Sequence, residues 1–287
     1  MSSLWMLVAG LLFACMGVCV KLGASLFSAG ELVFWRGFIA LLVIAGYVLA
    51  SGRPLRTAHW RSHIYRSISG FTALALFFFA ITTIPLATAV TLNYTSPLFL
   101  ALLLVFWVGE RPRPLLILAL VLGFAGVAVL LQPTFHRDET AGALSALFSA
   151  GFVGVAYYQL RELGALGEPE WRTVFYFSLV TTLGGLVLMV GSGFHGANLH
   201  GALLLLGTGA FGVLAQLALT RAYKHGKTLV TASLAYSTVL FSSLFGILLW
   251  HDAMPTTSWL AIGLIILSGV LASACRGQPA NPVLTAE

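Results

Sequence analysis

In the middle of a long apolar stretch, Asn93, Tyr94, Thr95, Ser96 and Pro97 gather an amide, a phenol, two hydroxyls and a proline within about one and a half helical turns. Polar groups surrounded by hydrocarbon are costly unless they bond to one another or to something that enters, so Asn93, Tyr94 and Ser96 are candidates for a solute-lined wall. Tyr236 and Gln216 stand in similar apolar surroundings further along the chain. Arg36 is the one basic residue clearly inside an apolar run. Such a charge could hold a substrate carboxylate, pair with Glu31, or snorkel to the surface. Tyr157, followed by Tyr158 and Gln159, lies toward the end of its run, where tyrosine serves either an inner gate or an interfacial belt. Pro97 costs its helix one backbone hydrogen bond and is a candidate hinge, and Pro85 breaks the chain just before it. Gly154, with Gly151, gives a small face on which helices can approach and slide.

What surrounds these groups does not suggest catalysis. The seven histidines fall in loops or at the ends of apolar runs, and no acid cluster or nucleophile–base pair faces them. Cys15, Cys19 and Cys275 show no metal or disulfide spacing and read as small wall residues. A Gly-x-x-x-x-Gly-Lys-Ser/Thr loop is lacking. No catalytic residue, metal or cofactor is therefore expected. No Asp or Glu occupies the middle of an apolar run, which argues against an acidic proton relay and for facilitated diffusion or exchange.

The elements that must position these side chains follow from composition. Hydrophobic residues make up 59% of the 287 and charged residues only 8%, against roughly 25% charged in a soluble domain. Apolar runs of the roughly 20 residues needed to cross a bilayer fall near 4–22, 32–50, 67–84, 86–108, 114–132, 141–160, 173–191, 201–221, 228–250 and 258–275. No charge separates the third from the fourth, and one helix from Arg66 to Glu110 would be roughly 60 Å long, so Pro85 is read as the divider. With the N-terminus inside, twelve of the fifteen Lys and Arg residues lie in inner loops, Lys21 and Arg137 lie outside, and Arg36 lies within a span. Scattered in this way, the basic residues do not suggest nucleic-acid binding.

At an offset of 142, residues 70 to 110 match the second half without gaps. Gly70, Ala73, Ala80, Tyr94, Leu98, Phe99 and Leu102 pair with Gly212, Ala215, Ala222, Tyr236, Leu240, Phe241 and Leu244, and Ser96 pairs with Thr238. Five spans per half is an odd number, so the second half is inverted relative to the first. The charges agree: the loop after span two carries four Arg, and its counterpart around His195 to His200 carries none. Homologous halves in opposite orientations can exchange conformations, which is alternating access.

The whole chain resembles the drug/metabolite transporter superfamily, in its ten-span EamA-like branch. The features that carry the resemblance are the two five-span halves, the Asn93-Tyr94-Thr95-Ser96-Pro97 segment, Gly109-Glu110-Arg111 after span four, and Gly123 and Gly126 in span five. Asn93-Tyr94 followed by Pro97 is similar to the span-four motif of bacterial aromatic amino-acid exporters. Ser96 stands where those proteins commonly have tryptophan, which implies a wider pocket.

The expected fold is all-α integral membrane: ten transmembrane helices as two inverted five-helix repeats, 1–138 and 139–276, with a short tail at 277–287. The expected function is secondary transport of small metabolites, amino acids first among them, out across the cytoplasmic membrane. Drug-like cations, nucleosides or sugars are the alternatives; an intramembrane enzyme or a channel is less favoured. The expected partners are a small-molecule substrate and the lipid bilayer, with the carrier a monomer or, alternatively, a dimer, and both termini cytoplasmic.

Overall fold

The computed structural model describes residues 2–84, 86–131, 140–190, 193, 195–196, 198–250 and 256–274. Pro85, Arg137, Cys275, the boundary between the proposed halves and the C-terminal tail lie outside the described residues. After a 3-10 turn at Ser2–Leu4, twelve helices follow. They are α1 (Trp5–Gly23), α2 (Ala29–Ser51), α3 (Trp60–Thr83), α4 (Leu86–Asn93), α5 (Ser96–Phe106), α6 (Pro114–Leu131), α7 (Thr140–Ala165), α8 (Glu170–Val190), α9 (Leu199–His225), α10 (Thr228–Leu234), α11 (Ser237–Trp250) and α12 (Thr256–Ala274).

Among the described residues, seven helical stretches are long and apolar enough to cross a membrane, and two shorter apolar ones fall in α6 and α12. One of the seven joins α4 to α5, and another joins α10 to α11. With α3, whose first turns are polar, the elements follow the ten expected runs in order.

Local chemistry sets several boundaries. Ser28 caps α2 in a capping box: its hydroxyl accepts from the Glu31 N–H at 3.3 Å and its own N–H donates to Glu31 Oε2 at 2.7 Å. Gly52 ends α2 with a left-handed φ of 61°, the position where a side chain is least welcome. Asn198 caps α9 by accepting from the Gly201 N–H at 2.7 Å.

Helix packing is mainly between the two halves of the sequence. α2 packs on α8 and α6 on α12, each on its repeat counterpart, while α3 packs on α7 and α9 on α1, which are equivalent pairs under the same correspondence. Loops sort to two ends of the bundle. At one end the Lys227 N–H donates to Ser3, Arg172 donates to the Pro54 carbonyl, and Arg161 pairs with Glu110. At the other end Glu31 meets His195.

Close approach of α2 and α8 depends on missing side chains. A methyl added at Gly37 would come within 2.9 Å of the Thr182 backbone nitrogen, and one at Gly185 within 2.8 Å of Phe34 Cα. Backbone cannot yield there as a flexible side chain would. Gly46 on α2 has open space instead. Gly185→Leu is therefore expected to cost about 3 kcal/mol or more, while Gly46→Leu stays within about 0.5 kcal/mol. Thermal unfolding of the two variants in detergent checks the difference.

Candidate functional site

Both apolar runs that contain a site tyrosine are interrupted at their centres, and at equivalent places. Around Tyr94 the Thr95 N–H bonds to Leu92 O at 3.1 Å and the Leu98 N–H to Thr95 O at 2.8 Å. Around Tyr236 the Tyr236 N–H bonds to Ser233 O at 3.3 Å and the Val239 N–H to Tyr236 O at 3.1 Å. All four are i→i−3 bonds, so each span tightens into a 3-10 turn at mid-length, a recurrent sign of a hinge. Pro97 lies in the first turn of α5, where an N–H has no helical partner in any case. The corresponding residue in the second half is Val239, and the turn tightens all the same. A proline hinge confined to one half therefore does not describe the structure: the break belongs to both.

The tyrosines of the two breaks face each other, with ring centroids 6.2 Å apart. The Tyr94 hydroxyl is hydrogen-bonded to Thr238, the repeat counterpart of Ser96. Tyr236 is fully buried with its hydroxyl unpartnered, and its ring fills the space left by Gly123, where a methyl would sit 2.6 Å from Tyr236 Cε2. Nearby, Tyr157 stacks on Tyr223 with centroids 4.4 Å apart, and the Tyr223 hydroxyl is also buried and unpartnered. Sequence reasoning missed Tyr223.

Arg36 and Gln216 lie elsewhere, in a small central cavity. Arg36 of α2, Phe177, Ser178 and Thr181 of α8, and Gly212 and Gln216 of α9 line it, enclosing about 10 Å³. That is room for about one water molecule, so this cavity as it stands holds no solute. Arg36 does not reach Glu31. That carboxylate accepts instead from the His195 N–H at 2.7 Å, meets His195 Nδ1 at 2.9 Å and accepts from the Ser28 N–H at 2.7 Å.

Arg66, counted as a loop charge from its position before an apolar run, is 3% exposed inside α3. Its guanidinium carbon lies 4.8 Å from the Phe177 ring centroid, and that of Arg36 lies 5.9 Å from the same ring. Gly70, one turn along α3, was the available signal. A methyl there would overlap Arg66 Nη1 and come within 2.9 Å of the Phe177 ring.

Two expected wall residues, Asn93 and Ser96, and the sliding-face candidate Gly154 lie at helix contacts. Asn93 Nδ2 donates to Ser149 Oγ at 2.8 Å, and Ser149 Oγ donates to Ala73 O at 2.7 Å, tying α4 to α7 and α3. Ser96 is buried at the start of α5. Gly154 brings α7 against α5, with its missing methyl 3.1 Å from the Leu100 nitrogen.

A second polar cluster closes the end of the bundle that carries the N-terminus. Glu168, between α7 and α8, accepts from Thr57 Oγ1 and from Arg172 Nη1 at 2.7 Å, and its Oε2 meets His63 Nε2 at 3.0 Å. Lys224 Nζ donates to Glu168 O at 2.8 Å and to Thr173 Oγ1 at 2.7 Å. Lys224 and His63 are thus buried parts of a latch joining the α2–α3 loop to α3, α8 and α9, whereas the sequence placed them in loops or at span ends. Among the described residues no group of three metal-ligating side chains occurs.

An all-helical bundle of membrane-length apolar helices with charged groups in its interior fits a multi-pass membrane protein that carries small solutes, and its relatives are transporters and not enzymes. The chain belongs to the EamA-like transporter family of the drug/metabolite transporter superfamily, whose description matches residues 1–132. It is 31% identical over 266 residues to the pseudopaline exporter CntI of Pseudomonas aeruginosa, covering 92% of this chain and 93% of the exporter. It is 25% identical to a riboflavin transporter of Vibrio cholerae, covering 93% and 91%. It is 24% identical to an S-adenosylmethionine uptake transporter of Rickettsia felis, covering 84% and 81%. A crystal structure 22% identical in sequence shares the fold at a TM-score of 0.85 over 95% of this chain and 97% of its own.

The latch has a pH signature. Burial alone would raise the Glu168 pKa, but hydrogen bonds from Thr57, Arg172 and His63 outweigh it and hold the carboxyl at about 2, below its ordinary 4.5. A depressed carboxyl contributes stability that is fully present above the unfolded value and is lost as pH falls toward the folded one. The melting temperature of the wild type should therefore fall between pH 4.5 and about 2 more steeply than that of Glu168→Gln. At pH 7 Glu168→Gln, which leaves Arg172 without its anion, should be less stable by on the order of 3 kcal/mol. Melting curves of both proteins across this range check the two expectations.

Proposed function

We propose that this transporter is a secondary carrier that exports amino acids, neutral and aromatic ones included, across the cytoplasmic membrane by alternating access. The carrying observation is the pair of equivalent mid-span breaks that bring Tyr94 and Tyr236 face to face. A 3-10 turn can lengthen or tighten without unravelling the helix on either side, and two of them in inverted halves give one structure two related ways to bend. On this reading the repeats span 1–138 and 139–276, the tail and both termini are cytoplasmic, and the wall of the open state includes Tyr94, Tyr236, Gln216, Arg36 and Tyr157. Asn93 and Ser96 border it, with Pro97 and Gly154 at the moving joint.

The tyrosine cluster supports a second reading, a ring-bearing solute other than an amino acid. Four aromatic rings with two spare hydroxyls suit a flat, polar-edged molecule. The relatives named for riboflavin and S-adenosylmethionine fall on the side of this reading.

Counterflow in proteoliposomes tests the proposal. The wild type should exchange labelled phenylalanine against an internal amino-acid pool. Tyr94→Ala and Tyr236→Ala should each lower the rate by about tenfold, the loss of roughly 1.4 kcal/mol of binding or barrier stabilisation. Full activity in both variants would remove the tyrosine pair from the transport path.

A further inference from the structure

Arg36 and Arg66 are two cations on one aromatic ring in the interior of a membrane protein. Arg66 is 3% exposed, and its Nε and Nη1 atoms have no hydrogen-bond partner. Thr181, which lines the cavity beside Arg36, also has a buried hydroxyl without a partner. Among the described residues neither arginine forms an ion pair. The acids that could have served are engaged elsewhere, Glu31 with His195 and Glu168 with Arg172 and His63. Space is reserved for the Arg66 guanidinium by Gly70; at its repeat counterpart, Gly212, an added methyl would be in ordinary van der Waals contact with the Arg36 side chain.

Removing a guanidinium from water without an anion costs several kcal/mol, and two sharing one ring repel each other as well. Cation–π contact with Phe177 offsets only about 1–2 kcal/mol of this. A static scaffold gains nothing from such a pair, since apolar residues of similar volume would pack there at lower cost. The cost is recovered only when an anion arrives, and planar guanidinium groups are suited to oxygen anions that accept two bonds at once.

We infer that Arg36 and Arg66 form a paired oxyanion site that holds a carboxylate or phosphate group of the carried solute between them, so that among the amino-acid-like solutes a net anion is preferred to a neutral one. This rests on the carrier reading above and narrows it: an acidic amino-acid-like metabolite is favoured over a neutral one. Both charges are needed, because one carboxylate of a zwitterion would neutralise a single arginine and leave its ammonium beside the other.

The test is thermal unfolding of the purified full-length protein in detergent at fixed ionic strength, with L-glutamate, L-glutamine or inorganic phosphate as probes. Glutamate or phosphate should raise the melting temperature, and whichever of the two acts at lower concentration identifies carboxylate or phosphate as the preferred group. Glutamine should require at least tenfold more. Arg36→Gln and Arg66→Gln should each weaken the anion effect at least tenfold, and Arg66→Lys should weaken it less than Arg66→Gln. Gly70→Ala, which keeps the charge but displaces the guanidinium, should weaken it too. Without ligand, Arg66→Gln should melt at or above the wild-type temperature, because an uncompensated charge has been removed. A lower melting temperature of ligand-free Arg66→Gln would show that Arg66 has a structural partner and would overturn the inference. So would anion stabilisation that persists in the variants, or its absence in the wild type. Counterflow of neutral amino acids that survives Arg66→Gln would overturn this inference and leave the carrier reading standing. Arginine-dependent anion binding without any counterflow would do the reverse.

Discussion

A charge buried in a bilayer protein has no water to fall back on, so every ionisable group in the interior must be matched by the protein or by what the protein binds. The two interior clusters of this chain meet that constraint in opposite ways. Around Glu168 the matching is internal: one carboxylate collects Thr57, His63 and Arg172 on its oxygens, and Lys224 takes the neighbouring carbonyls. Around Phe177 two guanidinium groups share one ring without an ion pair among the described residues, that of Arg66 buried with Nε and Nη1 unpartnered. The first arrangement holds one conformation, whereas the second pays an electrostatic cost that only a bound partner removes.

The packing decides how such a bundle can move. α2 rests on α8, α6 on α12, and α3 and α9 on partners from the opposite half, so the sequence halves interleave and are not separately packed bodies. Gly37 and Gly185 bring the α2–α8 crossing within contact of backbone, as Gly164 does where α7 meets α9, and such contact resists sliding. The α4–α5 and α10–α11 spans are different. Each carries a 3-10 turn at its centre, where rearrangement costs a bond or two in place of a whole interface. Motion concentrated in these two spans would change the space beside Tyr94 and Tyr236 while the rest of the bundle stays packed.

Much of this fold was legible in the sequence because the bilayer imposes a length and a hydropathy on each crossing; among the described residues seven helical stretches meet both, and α3, α6 and α12 fall at the remaining expected runs. The repeat was legible where glycine, alanine and tyrosine recur at one offset; it paired Tyr94 with Tyr236, whose rings lie 6.2 Å apart. Arg66 was not, because a basic residue just ahead of an apolar run looks the same whether it faces water or turns inward along α3. Only Gly70 marked the difference, and one glycine among 30 carries little weight before the neighbours are known. Tyr223 was overlooked for a similar reason, since a tyrosine next to Lys224 and His225 has the composition of a span end. The break at Tyr236 had no local signature: without a proline, a tightened turn is set by the helices around it, here by Gly123 on α6 and Gly10 on α1.

The two ends of the bundle are closed unequally among the described residues. At one end Glu168 gathers three side chains through charge-assisted bonds, and releasing it would leave Arg172 without its anion. At the other end Glu31 is just as buried and holds His195 and its own helix cap, but His195 itself is 55% exposed, so that closure has the more hydrated partner. Buried pairs are strong only while every member is satisfied. One buried carboxylate therefore ties each end of the bundle, with the larger set of buried partners at the N-terminal end. An anion seated on Arg36 and Arg66 would add negative charge between the two closures, beside α8, the helix that also carries Arg172 of the latch.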